Sequence, residues 1–288
     1  MKITSIKHQI TNNSKALNNN IPNGFGFLNL VILVLFVICN LSFVIYSPAF
    51  AKDFDGIWFL GFNLRRAPFN EPAVRRAVAA CVNETSIAKE LMGEEIVPIG
   101  FIPPSLPGYD PLLVPYKNDP AYAKSLMKQA GYPLTDKRLK KLTLLHTDGV
   151  KTIAIAKELQ QELKMLGMKV ELVEVSYRDT DKWQKELKSG QHQLFLLGYK
   201  ADRDQPFSSA EAPAGGPADS AALLEPLFRT GGAANFTGYS NPTADMLFDQ
   251  LSVLPSTLSG ERDLKLKSIN GILYKELPGL VLFYIEKL

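Results

Sequence analysis

The sequence predicts an α/β fold in which a mixed, largely parallel sheet is flanked by helices. Strand-like and helix-like segments alternate between Lys141 and Val175 in the order strand, helix, strand. Such a unit places two parallel strands in one sheet. A later segment, "HQLFLLGY" (His192 to Tyr199), is apolar almost throughout, which is typical of a strand covered on both faces.

The first 51 residues are predicted to be a leader that precedes the folded part. They contain three lysines and no acidic residue, and the apolar run Phe27–Tyr46 ends close to Ala49 and Ala51. These alanines hold the small-residue positions of a signal-peptide cleavage site, so we expect export with cleavage after Ala51. The alternative is an uncleaved membrane anchor, because about 20 apolar residues suffice to span a bilayer. Residues 52–288 are then expected to form a single α/β lobe.

After the leader, Gly56–Leu64 is predicted to be a buried strand, since it is rich in aromatic and branched residues. The next segment, "EPAVRRAVAACVNETSIAKELMG", predicts a helix with Asn70 as its N-cap and Pro72 in its first turn. Arg75 and Arg76 are expected on its solvated face. The apolar residues that recur at helical spacing form the predicted core face: Val74, Ala77, Val78, Cys81 and Val82.

Six prolines lie between Gly93 and Asp119 and preclude a regular helix or a central strand there. We therefore expect a long loop packed on the surface. Asp119 and Gly131 predict the start and the end of a short helix. In the strand–helix–strand unit that follows, Asp148 is the expected cap of the middle helix and Gly167 marks its end.

The remaining third of the chain continues the alternation of helices and strands. A helix within Asp179–Gly190 leads into the apolar strand, and a loop rich in glycine, alanine and proline follows with a short helix inside it. Two helices, "PTADMLFDQLSVL" and "GERDLKLKSINGILYKEL", precede a last strand that begins at Gly279. No internal repeat is present.

Composition and motifs argue against several classes of function. Three of the 32 basic residues and none of the 29 acidic ones lie in the leader, so the remainder is formally neutral and gives no reason to expect nucleic acid as a partner. Outside the leader the chain has only His146, His192 and Cys81 among the soft metal ligands, so we expect no metal site and a packed thiol at Cys81. No nucleotide-binding loop, nucleophile elbow or metalloprotease motif is present. We expect neither a cofactor nor enzymatic activity.

The positive signal lies at the ends of the predicted strands. Ligands of open α/β sheets lie outside the carboxyl ends of the strands, which selects "HTDG" (His146 to Gly149) and "YKADRDQP" (Tyr199 to Pro206). Tyr199 would supply an aromatic wall, and a shielded carboxylate nearby would pair with a ligand cation such as an amino terminus. The alternative is a solvated turn in which Asp202 and Asp204 act as turn and capping residues. The residue pattern leaves both interpretations open.

Six blocks of the chain, in order, resemble one protein family. "FNLRRAPFNEPAVRRAVAACVNETSIAKELMGE" is similar to its asparagine, proline and "VR-A" pattern, and "PPSLPGYDP" to its proline loop. "DPAYAKSLMKQAGYP" is similar to its "A-LL-EAGY" helix, and "AIAKELQQELKMLGMKVEL" to its helix and strand around an "L-IG" turn. "GYKADRDQP" and "ANFTGYSNPTADMLFDQL" are similar to "GW-AD-NDP" and "N--GY-NP--D-L---A". From about Phe59 to Tyr284 the chain thus resembles the family 5 extracellular solute-binding proteins of ABC importers, which include oligopeptide-, dipeptide- and nickel-binding proteins.

The resemblance implies a lobe like those of periplasmic binding proteins, in a periplasmic or cell-surface receptor. Such a receptor captures a small peptide or related solute and passes it to an ABC permease in the membrane. In the peptide-binding branches the aspartate of "AD" neutralises the α-amino group of the ligand, a role that maps onto Asp202. The aromatic residue of "GW" flanks the ligand and maps onto Tyr199. Lys200, next to it, would meet an anionic group on the ligand, and the alternative is a solvated lysine.

The chain departs from the family in length. Its predicted leader abuts the strand that should open the second lobe, and nothing corresponds to the first lobe or to the C-terminal return to it. We therefore expect a truncated form, with one lobe that binds solute weakly, at a dissociation constant of about 1 mM. The alternative is a membrane-anchored structural or interaction domain that has lost solute binding.

Overall fold

The computed structural model describes residues 52–201, 220–255 and 257–287, and within them five strands form one sheet. The strands are β1 (Phe54–Phe62), β2 (Leu142–Thr147), β3 (Val170–Val175), β4 (Leu194–Lys200) and β5 (Gly279–Glu286), in the spatial order β3-β2-β4-β1-β5. β2 is parallel to both β3 and β4, whereas β1 is antiparallel to β4 and β5. The predicted mixed sheet with its parallel strand–helix–strand unit is confirmed.

Helices cover both faces of this sheet. In the described part of the chain they are α1 (Pro72–Cys81), α2 (Pro120–Gln129), α3 (Val150–Lys164), α4 (Thr180–Ser189), α5 (Ser220–Phe228), α6 (Pro242–Val253) and α7 (Ser259–Glu276), with a π-helical turn at Ser86–Leu91 and a 3-10 turn at Lys137–Leu139. One core lies between the sheet and α1, α2 and α3, and a second between the sheet and α5, α6 and α7. β4 contributes Leu194 and Leu196 to the first core and Phe195 and Leu197 to the second. The prediction that this strand is covered on both faces is confirmed.

Several local predictions are also confirmed. The Asp119 carboxylate accepts a hydrogen bond from the Tyr122 N–H (2.9 Å) and caps α2. Gly131 and Gly167, the predicted ends of the helices that became α2 and α3, follow them in the left-handed conformation (φ 74° and 72°), which glycine adopts without steric cost. The proline-rich segment has no regular helix or strand, and Phe101 and Ile102 bury it against the second core.

Two predicted helix caps are wrong. α1 begins after Glu71, with no side chain capping it, and Asn70 lies in the preceding turn, where its N–H donates to Arg66 O (3.1 Å). α3 begins after Gly149. Asp148 instead accepts a hydrogen bond from the N–H of Tyr177, a residue that follows the neighbouring strand.

The long helix predicted after β1 is two separate elements. α1 ends at Cys81 because Val82 is extended (φ −72°, ψ 132°). Asn83 N–H then donates to the Glu162 carboxylate (2.9 Å), and Asn83 Oδ1 accepts from Ser86 N (3.1 Å). A tertiary contact with α3 therefore interrupts the helix and starts the π-helical turn.

The prediction that Arg75 lies in solvent is wrong, although Arg76 is exposed. Arg75 is 4% exposed, and its guanidinium donates to the main-chain oxygens of Phe69, Glu276 and Leu277 at 2.6 to 3.1 Å. Glu276 and Leu277 close α7, where unpaired carbonyls and the helix dipole favour a cation. Through these hydrogen bonds Arg75 connects the end of α7 with the turn before α1.

Gly198 in β4 gives space to an aromatic ring on the next strand. It pairs with Trp58 of β1, and a Cβ at this position would overlap the Trp58 ring, which also stacks on Phe283 (centroids 5.8 Å apart). We expect Gly198→Ala to lower the free energy of unfolding by about 1 to 3 kcal/mol, because the packed ring has to move.

Urea denaturation of the wild type, Gly198→Ala and a control variant measures this effect. The matched control is Gly271→Ala in α7, where a Cβ meets nothing within 4 Å, and we expect it to raise stability by about 0.5 to 1 kcal/mol. A Gly198→Ala protein as stable as the wild type would contradict the packing of Trp58.

Candidate functional site

The carboxyl ends of β2, β3 and β4 lie at one edge of the sheet, as the sequence predicts. Because β1 runs the opposite way, its first residues reach the same edge, where Gly56 pairs with Lys200 and Ala201 N–H donates to Asp55 O (2.7 Å). The name carboxyl edge is used for four segments: 53–56, 147–150, 175–178 and 199–201. This edge contains Thr147 to Gly149 of the first selected stretch and the described start of the second, Tyr199 to Ala201.

Asp148 ties together the turns that follow β2 and β3. Its N–H donates to Val175 O (3.1 Å), and its carboxylate accepts from the N–H of Tyr177 (2.8 Å). The Tyr177 N–H is also the main reason why the pKa of Asp148 lies below its ordinary value. The side chains of Val150 and Tyr177 are 86% and 56% exposed, so this part of the edge offers apolar surface around a fixed carboxylate.

His146, by contrast, does not project from the edge. It is 2% exposed, and its Nδ1 lies 2.9 Å from Thr147 O. "HTDG" therefore contributes a shaped turn and Asp148 rather than a histidine.

Tyr199 lies in the second core and is 2% exposed. Burial raises the pKa of its phenol to about 12, so the side chain is neutral at physiological pH. In the described part of the chain the ring packs inward, and its role as an aromatic wall for a ligand stays a prediction.

Lys200 forms an ion pair that sequence reasoning missed. Its Nζ lies 3.1 Å from Asp55 Oδ1, and the two side chains are 23% and 11% exposed. The contact depends on the antiparallel pairing of β1 with β4, which residue types alone do not indicate. In the sequence, the one indication of this ion pair was the position of Asp55, an acidic residue directly before the predicted apolar strand. Asp202, the residue to which the sequence gives the central role, lies outside the described residues.

Charged residues surround the point where β1 begins and β5 ends. Lys52 Nζ lies 3.4 Å from a Glu94 oxygen and 3.5 Å from a Glu286 oxygen, and these carboxylates, Glu94 foremost, raise the pKa of Lys52. Lys287 and Asp53 form a looser pair (3.8 Å). Exposed pairs of this kind contribute little to stability. Among the described residues, two ammonium groups at this rim therefore face three carboxylates.

Two negative findings apply to the residues that the structure describes. They contain no group of three or more His, Cys, Asp or Glu side chains that could hold a metal ion. No helix among them is long and apolar enough to cross a membrane.

The sheet order and the two flanking helical layers define a lobe of the periplasmic-binding-protein fold. It resembles the ABC transporter-associated periplasmic binding protein DppA from Helicobacter pylori, solved with the peptide STSA (TM-score 0.68, 23% identity, 81% of this chain and 43% of that one). It also resembles the Escherichia coli murein tripeptide binding protein MppA (TM-score 0.65, 20% identity, 82% of this chain and 43% of that one). These likenesses establish the fold.

The chain belongs to the bacterial extracellular solute-binding proteins, family 5, whose middle-region model matches residues 47–220. This is a family of solute-binding proteins rather than of enzymes, and its members are periplasmic or otherwise exported. The resemblance inferred from the six sequence blocks is thereby confirmed.

Two curated relatives give the extent of the similarity. The chain is 32% identical to di/tripeptide-binding protein 2 of Pseudomonas aeruginosa over 146 residues, which are 50% of this chain and 27% of that protein. It is 27% identical to the glutathione-binding protein GsiB of Salmonella choleraesuis over 237 residues, 80% of this chain and 42% of that protein. The chain thus spans less than half the length of these relatives.

Proposed function

We propose that this chain supplies one lobe of the substrate-binding component of an ABC importer for short peptides or a similar small solute. The observation that carries the proposal is the carboxyl edge, where the neighbouring parallel strands β2 and β4 both end, β4 extending beyond the last residue of β2. Asp148 follows β2 there, and Lys200 is the last residue of β4. Relatives named for binding dipeptides, tripeptides and glutathione support a peptide-like ligand. Such ligands carry a free ammonium and a free carboxylate, and the edge offers groups of both signs.

In this proposal Asp202 binds the α-amino group of the ligand. Ala201, the residue before Asp202, donates its N–H to Asp55 O and so extends the pairing of β1 with β4. The backbone is therefore fixed up to the residue that precedes Asp202. Lys200 meets an anionic group of the ligand, and Tyr199 anchors the same strand in the core and provides the aromatic flank. Binding requires neither catalysis, nor a cofactor, nor a metal.

The cellular setting follows the same proposal. Residues 1–51 direct export, with 27–46 acting as a signal peptide or as an anchor, and 52–288 form one solute-binding lobe. The protein then works in the periplasm or at the cell surface, with a membrane ABC permease as its partner and no nucleic acid. One lobe leaves a ligand open to water on its other side, so we expect weak binding, at about 1 mM.

Calorimetric titration with tri-alanine and N-acetyl-tri-alanine tests the role of Asp202. We expect the wild type to bind tri-alanine and to lose affinity about tenfold or more for the acetylated peptide, because a charge-assisted hydrogen bond is lost. Asp202→Asn should bind both peptides equally weakly.

The matched control is Asp204→Asn, two residues further along, which should behave like the wild type. Equal affinity of wild type and Asp202→Asn for tri-alanine would remove Asp202 from the site. A wild type that binds neither peptide would reject the peptide-binding function and favour the anchored interaction domain.

A further inference from the structure

The carboxyl edge contains a carboxylate whose hydrogen bonding is incomplete. Asp55 is 8% exposed, and its Oδ1 has no hydrogen-bond partner among the described residues, although Lys200 Nζ lies 3.1 Å away. The contact is therefore a close charge pair without aligned donors. A buried carboxylate is costly unless an opposite charge compensates it, so Asp55 depends on Lys200.

The backbone at Gly56 leaves room for the Lys200 side chain to reach Asp55. Gly56 faces Lys200 across the β1–β4 ladder, and a Cβ at Gly56 would lie 2.9 Å from Lys200 Cγ. The missing side chain lets the lysine stem lie against β1. The ammonium is thereby held at the carboxyl edge, with 23% of the side chain still exposed.

An ammonium has three N–H donors. Within residues 52–201, 220–255 and 257–287, Lys200 pairs with Asp55 without an aligned hydrogen bond, so these donors can also meet a second anion at the edge. That anion competes with Asp55 for the same charge. A ligand carboxylate is attracted by Lys200 and, at the same time, repelled by Asp55. The edge therefore prefers anionic ligands less strongly than it would if Lys200 were present without Asp55.

We propose that Asp55 is a positioning residue that holds Lys200 for the carboxylate of a peptide ligand and limits how strongly Lys200 binds it. This rests on the proposed function, because it concerns the same site. The ligand class that follows is a zwitterionic short peptide with a free C-terminal carboxylate.

The test compares tri-alanine with tri-alanine amide, which differ only at the C-terminus. We expect the wild-type chain to prefer the free acid about threefold, and Asp55→Asn to raise this ratio to about tenfold, in keeping with partly exposed charge pairs. Lys200→Met should bring the ratio to about one. A merely structural role of the pair would change stability in both variants but not the ratio of the two affinities.

Asp53→Asn is the matched control, since Asp53 enters the same edge but pairs with Lys287, and it should keep the wild-type ratio. If Asp55→Asn and Lys200→Met both keep that ratio while tri-alanine still binds, the role of Asp55 is wrong and the proposed function stands. If the wild type binds neither peptide, both are wrong.

Discussion

Replacing Arg75 with methionine is expected to lower the free energy of unfolding by about 3 to 5 kcal/mol, because buried carbonyls lose their donor. Methionine keeps much of the apolar stem but provides none of the hydrogen bonds to Phe69, Glu276 and Leu277. The end of α7 would lose its cation as well. Urea denaturation followed by circular dichroism measures the change.

The neighbouring Arg76 supplies the control. It is exposed, so Arg76→Met should alter stability by less than about 0.5 kcal/mol. If the two methionine variants unfold at the same urea concentration, the buried position of Arg75 is wrong.

Raising the pH from 5 to 8 is expected to cost the protein about 2 to 3 kcal/mol of stability through the buried Glu162, and the buried Glu84 changes stability in the same direction. Glu162 is 8% exposed, and its Oε2 has no hydrogen-bond partner among the described residues. Burial raises its pKa to about 7. Burial, and then Glu162, also raise the pKa of Glu84 well above its ordinary value.

The sign of the effect follows from linkage. Both carboxyls release their protons near pH 4.5 in the unfolded chain but hold them to higher pH when folded. The stability that Glu162 contributes is therefore complete below about pH 4.5 and is lost as the pH rises through about 7. Glu84 has the same sign, because its pKa is also higher in the folded protein. Urea denaturation at several pH values measures the slope.

Glu162→Gln should flatten this pH dependence, since the amide does not ionise. Glu171→Gln, at an exposed position on β3, is the control and should leave the slope unchanged. Stability that rises between pH 5 and pH 8 in the wild type would show that these carboxyls are ionised in the folded protein.

Much of the fold could be predicted because its determinants are local. The apolar runs of β2 and β4, the cap at Asp119 and the helix ends at Gly131 and Gly167 depend on neighbours in the sequence. Parallel pairing of β2 and β3 then follows from the connection between them. The carboxyl edge was predictable for the same reason.

The errors arise where a distant residue decides the outcome. Arg75 follows the spacing of a solvated face, but the end of α7 lies beside it only in the folded chain. Aspartate is a common helix-capping residue, but the carboxylate of Asp148 accepts a hydrogen bond from a backbone N–H after β3 instead of capping α3. Asp55 meets Lys200 only through the pairing of β1 with β4.

Some blocks that carry the family resemblance are structural rather than ligand-binding. Arg75 of "VR-A" binds the main chain at the end of α7, and the Glu276 side chain there accepts from Tyr239 Oη (2.6 Å) and Asn241 Nδ2 (2.8 Å) of "GYSNP". Two blocks far apart in sequence thus secure one helix end. Their presence identifies the fold, whereas the ligand depends on "GYKADRDQP".

Photo-crosslinking tests most directly the central claim, that a short peptide binds at the carboxyl edge. A tripeptide with a central benzoylphenylalanine is irradiated with the full-length protein, and the attachment points are mapped by mass spectrometry. We expect crosslinks within 147–150, 176–178 and 199–202 that excess tri-alanine suppresses. Crosslinks confined to the opposite edge, around 139–142 and 190–194, or unaffected by tri-alanine, would contradict the claim.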